Sequence, residues 1–222
     1  MSQKPTKRSP ATRALRLFIL TVAVGLPLYS IGVWMYQVAP IYRGTAPVVV
    51  TVLYLPARIL GLVGFVLMFY QFVLSARFSF MESAFTRMEL VRKHKTIGKI
   101  GFLAILLHGT AMLAYDLFTA GEIWLDLPKT MGLVALVLLS VAVAVAIYWK
   151  PLGLSNKQWM RIHRLAYLVF PLAFYHGITL GSTLNTSRPL LGLFYGMTAI
   201  YLVILVRRVR KAVSESRRGR KT

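Results

Sequence analysis

Apolar residues dominate six stretches of the chain, near 17–37, 57–76, 96–117, 130–149, 164–181 and 189–206, and most of the charge lies in the short segments between and beyond them. A helix that crosses a bilayer needs about 17 to 25 largely apolar residues. Each stretch therefore predicts a spanning helix, and the whole predicts an all-α integral membrane protein, a six-transmembrane-helix bundle. Residues 47–56 (PVVVTVLYLP) are apolar too, but Pro56 and Arg58 put the start of the second span near 57 and make the preceding piece interfacial. The basic lead resembles that of a signal peptide. The apolar run behind it, however, is longer than the usual h-region of about 7–15 residues and lacks a clear small-x-small cleavage site, so it is expected to remain as the first helix. Three segments follow: a basic tail over residues 1–16, the six-helix domain over 17–206, and a second basic tail over 207–222. The last is expected to be disordered or lipid-bound from Val209 onward.

Composition agrees with this partition. Of 222 residues 57% are hydrophobic and only 15% charged, against about 45–50% and about 25% in an ordinary soluble domain. Mean hydropathy is +0.63. The net charge of +21 would suit a nucleic-acid binder, but the basic residues sit between apolar segments and form no single face, which argues against nucleic acid. With both termini on one side of the membrane, that side holds 23 of the 27 Lys and Arg residues, in segments 1–16, 77–99, 150–164 and 207–222. The positive-inside rule makes that side cytoplasmic. Localisation in a cell (inner) membrane as a multi-pass protein follows, with the basic face attracted to anionic membrane lipid and acidic partners.

Four histidines are the chain's candidate chemistry. His94 and His108 belong to the third span, His163 and His176 to the fifth, and each pair begins at the basic mouth of its span. Both spans run in the same direction, so first should pair with first and second with second, on two levels roughly 20 Å apart at about 1.5 Å per residue. Haem iron accepts axial histidine, and two porphyrins fit in sequence at that spacing. A structural zinc site would need its ligands to converge on one point. On a straight helix at about 100° per residue the first pair shares a face, whereas the second does not. Pro171 between His163 and His176 can kink or unwind the fifth helix, and His163 can also precede it. Met160 is the one methionine to check as a ligand. The non-redox alternative is a transporter with a histidine proton relay, disfavoured because the spans lack titrating carboxylates apart from Asp116 at the outer edge.

At these residues the chain resembles the ferric reductase-like transmembrane domain superfamily, which covers ferric reductases, NADPH oxidases and the haem-binding subunit of the periplasmic methionine sulfoxide reductase system. The resembling stretches are Ala57-Arg58-Ile59-Leu60-Gly61, RKHKTIGKIGFLAILLHGT from 92 to 110, and WMRIHRLAYLVFPLAFYHG from 159 to 177. The resemblance implies two stacked b-haems between the third and fifth helices, the inner on His94 and His163 and the outer on His108 and His176. Arg58, near the outer end of the second span, is placed to bind a haem propionate in bidentate fashion or to snorkel to the interface. Lys95, Lys99, Arg161 and Arg164 flank the inner haem, and Trp159 and Tyr175 read as packing or interface aromatics.

Two departures from the family pattern shape the expected function. No Gly-rich phosphate-cradling turn is present, so FMN or FAD is expected only through a partner. His94 occupies a position where methionine sulfoxide reductase haem subunits often have no histidine. The expectation is a transmembrane electron-transfer haem b protein, a redox subunit more than a complete enzyme. Electrons would pass from a cytoplasmic flavin reductase or a membrane quinol to an extracytoplasmic acceptor: ferric chelate, oxygen, a quinone or a periplasmic enzyme. The alternative within the family is the haem-binding membrane subunit of a periplasmic methionine sulfoxide reductase system.

Overall fold

The computed structural model describes residues 9–218 as helices and short connections, with no strand among them. The elements are α1 (Pro10–Arg43), a π turn (Val50–Tyr54) running into α2 (Leu55–Ser75), α3 (Ser79–Ala84), α4 (Arg87–Ala120), α5 (Leu127–Tyr148), α6 (Asn156–His163), α7 (Ala166–Leu180), α8 (Ser182–Thr186) and α9 (Arg188–Arg218). Local chemistry explains most boundaries. Ser9 caps α1 ahead of Pro10, and Asp126 caps α5 through Lys129 N–H. Thr86 with Glu89 and Ser155 with Gln158 form reciprocal capping boxes on α4 and α6. Gly121 ends α4 with φ of 75°, a left-handed conformation that suits glycine.

Five helices are long and apolar enough to cross a membrane: those of Pro10–Arg43, Val50–Ser75, Arg87–Ala120, Leu127–Tyr148 and Arg188–Glu215. The fifth predicted span, 164–181, departs from expectation. Its regular part, α7, has 15 residues, and α6 precedes it as a separate helix ending at His163. The second span starts earlier than predicted, at Val50 and not near 57, because the segment taken as interfacial is the π turn that leads into α2. Helix α9 continues through Val209 to Arg218, so the first part of the tail expected to be disordered or lipid-bound is helical, while residues 219–222 lie outside the described ones. At the other end, Arg13 and Arg16 belong to α1, and residues 1–8 of the predicted tail lie outside the described ones.

Prolines at 27, 40, 56 and 171 lie within helical runs, and each leaves a carbonyl without its N–H donor, a costly state in an apolar medium. At three of them, all but Pro40, a tyrosine hydroxyl fills the gap. Tyr70 donates to Ala23 O, four residues before Pro27, at 3.0 Å. Tyr201 donates to Tyr167 O, four before Pro171. Tyr42 donates to Thr51 O, five before Pro56, which matches the π register there. These bonds also tie α2 to α1 and α9 to α7.

Helix α2 packs along α4 and α5 along α7, giving two antiparallel pairs; α9 lies against α2 and α7, and α1 covers α2. The core is aromatic. Phe65 of α2, Phe170 of α7 and Tyr201 of α9 meet with centroids 4.6 Å apart from Phe170 to each of the others, and Phe194 stacks on Phe65 at 4.6 Å. Outer surfaces of α1, α4 and α5 are apolar and bare, as lipid contact requires. The two pairs thus face each other with α4 and α7 on opposite sides of the space between them.

Candidate functional site

The four histidines come together as two facing couples. His94 of α4 and His163 at the end of α6 have ring centroids 6.4 Å apart, with planes at 77°. His108 of α4 and His176 of α7 lie 6.0 Å apart at 73°. First meets first and second meets second. The angular misfit of the fifth span is relieved by the break at Arg164 and Leu165, where i to i+3 bonds (Leu165 N–H to Ile162 O, Tyr167 N–H to Arg164 O) tighten the connection and reorient α7 relative to α6. Among the described residues no three of His, Cys, Asp and Glu converge as a metal cluster. The arrangement is two pairs.

Backbone carbonyls of α2 and α5 orient the rings from behind. His108 Nδ1 lies 2.8 Å from Ala57 O, His176 Nδ1 3.0 Å from Pro128 O, and His163 Nδ1 3.2 Å from Ala142 O. A carbonyl only accepts, so Nδ1 carries the proton in each ring and Nε2 keeps its lone pair for a ligand. His94 differs: its buried Nδ1 has no hydrogen-bond partner, though the Gln71 backbone lies near the ring. The buried Gln71 Oε1 is also unpartnered, and the Gln71 amide rests on Gly98 of α4.

Glycines make the outer couple possible. A Cβ at Gly61 would meet His108 Nδ1 at 2.9 Å, and one at Gly132 would meet His176 Nδ1 at 2.5 Å, both closer than side chains tolerate. Between the couples' helices on this side lies a cavity of about 370 Å³, bordered by His108, His176, Arg58, Asp116, Lys129 and Thr183. Arg58 reaches inward to it and does not snorkel outward. Its Nη2 donates to Thr183 Oγ1 and, at 3.5 Å, to Gln37 Oε1; its guanidinium lies over Tyr54, and its buried Nε has no partner. At the rim Lys129 pairs with Asp116. At the basic end Trp159 lies 5.8 Å from His163 and stacks on Trp149, while the Lys93 ammonium lies over the Phe85 ring. Among the described residues, Lys95, Lys99, Arg161 and Arg164 form no hydrogen bond to either inner ring, and Met160 and Tyr175 are partly exposed.

These residues fit haem. Two opposed imidazole bonds to a metal, about 2.0–2.1 Å each on the zinc scale, together with the ring radii, span about the centroid separations seen. The free Arg58 Nε offers a donor for a carboxylate on the wall of the cavity that His108 and His176 border. Sequence reasoning had His94, His108, His163, His176 and Arg58. It missed Gln37, Thr183, Gln71, Lys129 and the backing glycines, of which Gly61 and Gly132 carried the only signal, small residues on otherwise bulky apolar helices.

Comparison with known proteins bears on this geometry. Residues 60–174 match the family described as ferric reductase like transmembrane component, a little over half of the chain. The protein-methionine-sulfoxide reductase heme-binding subunit MsrQ of Caulobacter vibrioides is 30% identical over 135 residues, 57% of this chain. The match spans 61% of that relative's length. No solved structure matches.

Proposed function

The chain belongs to the ferric reductase-like transmembrane family and is a multi-pass membrane protein, and from that premise we propose that it carries electrons across the membrane with haem b held at two levels. One observation carries the proposal: two histidine couples, drawn from the same two sides of the bundle, face each other at 6.4 and 6.0 Å. His94 with His163 would hold the inner group and His108 with His176 the outer. Arg58 would bind an outer propionate. Bound haem supplies a one-electron iron couple whose potential the protein tunes. The chain's own part is to present Nε2 of each ring, fix its orientation through Nδ1, and keep water out with the apolar walls of α2, α5 and α7.

In this reading α6 and α7 together make the sixth crossing, both termini are cytoplasmic, and the membrane is the cell (inner) membrane. The donor is a separate flavin reductase, bringing its own FMN or FAD to the basic face, or a membrane quinol. The acceptor is a ferric chelate, oxygen or a periplasmic enzyme. Resemblance to the MsrQ subunit favours a second, narrower form of the same reading, a haem-binding subunit of a methionine sulfoxide reductase. A proton relay is less well supported, since Asp116, the carboxylate nearest the outer couple, is neutralised by Lys129.

The first test is optical. Purified protein should show Soret and α bands of low-spin six-coordinate haem and return about two haems per chain in a pyridine haemochrome assay; a protein with no such bands would end the proposal. A second measurement separates the donors. Charge-steered docking weakens as salt screens interactions beyond about 8–10 Å at physiological ionic strength. Reduction by a flavin reductase should therefore slow as salt rises, whereas reduction by quinol in proteoliposomes, unaffected by salt, would assign the quinol.

A further inference from the structure

Three histidine rings hydrogen-bond a carbonyl of the neighbouring helix and the fourth, His94, lies near one, and the residue four places beyond that carbonyl is always small. For His108 the carbonyl is Ala57 and the small residue Gly61; for His176 they are Pro128 and Gly132. For His163 they are Ala142 and Ala146, and for His94 they are Gln71 and Ser75. The reason is helical geometry: the N–H of residue i+4 points at carbonyl i, so the Cβ at i+4 flanks the path by which a second donor reaches that oxygen. Clearance at Gly61 and Gly132, 2.9 and 2.5 Å to the ring nitrogen from a hypothetical Cβ, shows how little room there is.

The hydrogen bonds are graded in the same order. Where the i+4 residue is glycine the bond is 2.8 or 3.0 Å, where it is alanine 3.2 Å, and where it is serine no well-formed bond exists. We propose that Gly61, Gly132, Ala146 and Ser75 are positioning residues whose size sets how strongly each ring's Nδ1–H is held, and through it the electron-donating power of Nε2. A ring with a strongly held Nδ1–H is the more basic ligand and stabilises the oxidised metal. The outer couple, with two short bonds, is the stronger donor pair. The inner couple, with one long bond and one missing, is the weaker. Ligand donation alone therefore places the inner potential above the outer one, and cations nearby act on top of it. The inference rests on haem being held at both levels.

Redox titration of the membrane protein, with optical and electron paramagnetic resonance spectra, tests this with gain and loss. Ser75→Gly and Ala146→Gly should each shift the inner potential negative while both haems stay bound and the outer potential stays put. Gly132→Ala should shift the outer potential positive or lose the outer haem, leaving the inner one unchanged. Gly64→Ala serves as the control, because its Cβ would press on Ile105 Cγ1 at 2.6 Å and touches no histidine. It should lower stability without moving either potential. Unchanged potentials in the two inner variants, or equal shifts at both levels in Gly132→Ala and Gly64→Ala, would overturn the proposal. A wild-type protein without haem would overturn the functional reading instead.

Discussion

Replacing His176 by alanine is expected to halve the haem content, from about two per chain to about one, and His108→Ala should do the same to the same haem. Both rings belong to one couple, 6.0 Å apart, and a single remaining imidazole leaves a low-spin site without its second axial ligand. His94→Ala and His163→Ala should instead remove the haem of the other potential. The pairing is the sharp part of the expectation: His94 and His108 share α4 but face different partners, so a common potential lost from these two variants would contradict the arrangement. Arg58→Leu is a useful contrast, since it alters the cavity wall and touches neither couple directly.

Phe170→Ala should be the most damaging substitution outside the histidines. Phe170 is fully buried, and its ring contacts Phe65 and Tyr201 at 4.6 Å, Phe72 at 5.4 Å and Phe69 at 6.4 Å. Removing a core phenylalanine costs about 3–5 kcal/mol in soluble proteins, part of it transfer to water and part the cavity left behind. In a bilayer the transfer part shrinks because lipid is also apolar, so a loss near the lower end, about 3 kcal/mol, is expected. Denaturation in mixed detergent micelles measures it. Phe118→Ala, at a residue 75% exposed, should change stability by less than about 0.5 kcal/mol. Equal losses at the two positions would mean that the aromatic cluster of α2, α7 and α9 does not hold the bundle together.

Much of this site was legible in the sequence because its chemistry is sparse. Four histidines on two apolar stretches leave few ways to pair, and the run of helix fixes which two meet. Arg58 was legible as a charge in an apolar run, though only the fold shows its link to Gln37 and Thr183, residues 21 and 125 positions away. Boundaries were harder. Pro56 looked like a helix start, because proline usually is one; the π turn and the Tyr42 hydroxyl let the helix continue through it. That His163 can precede the fifth helix was legible from the angular misfit of the pair, but the place of the break was not, because hydropathy does not register one held by three-residue turns. The tail of α9 looked too short and too charged to fold alone, disordered or lipid-bound, yet its described part continues the helix, and Lys211 and Glu215 stand at the i, i+4 spacing that supports one. The backing glycines escaped notice because their purpose lies on other helices.

The two antiparallel pairs, α2 with α4 and α5 with α7, touch each other far less than they touch themselves. Each can insert and close as a hairpin before it meets its counterpart, yet each haem would draw one histidine from either hairpin. Porphyrin would then be the rivet between two finished halves. Synthesis in a cell starved of iron would yield chains inserted in the membrane but unfastened, open to proteolysis in the segment from 121 to 126 that joins the halves, so supply of the cofactor would govern how much mature protein survives biogenesis.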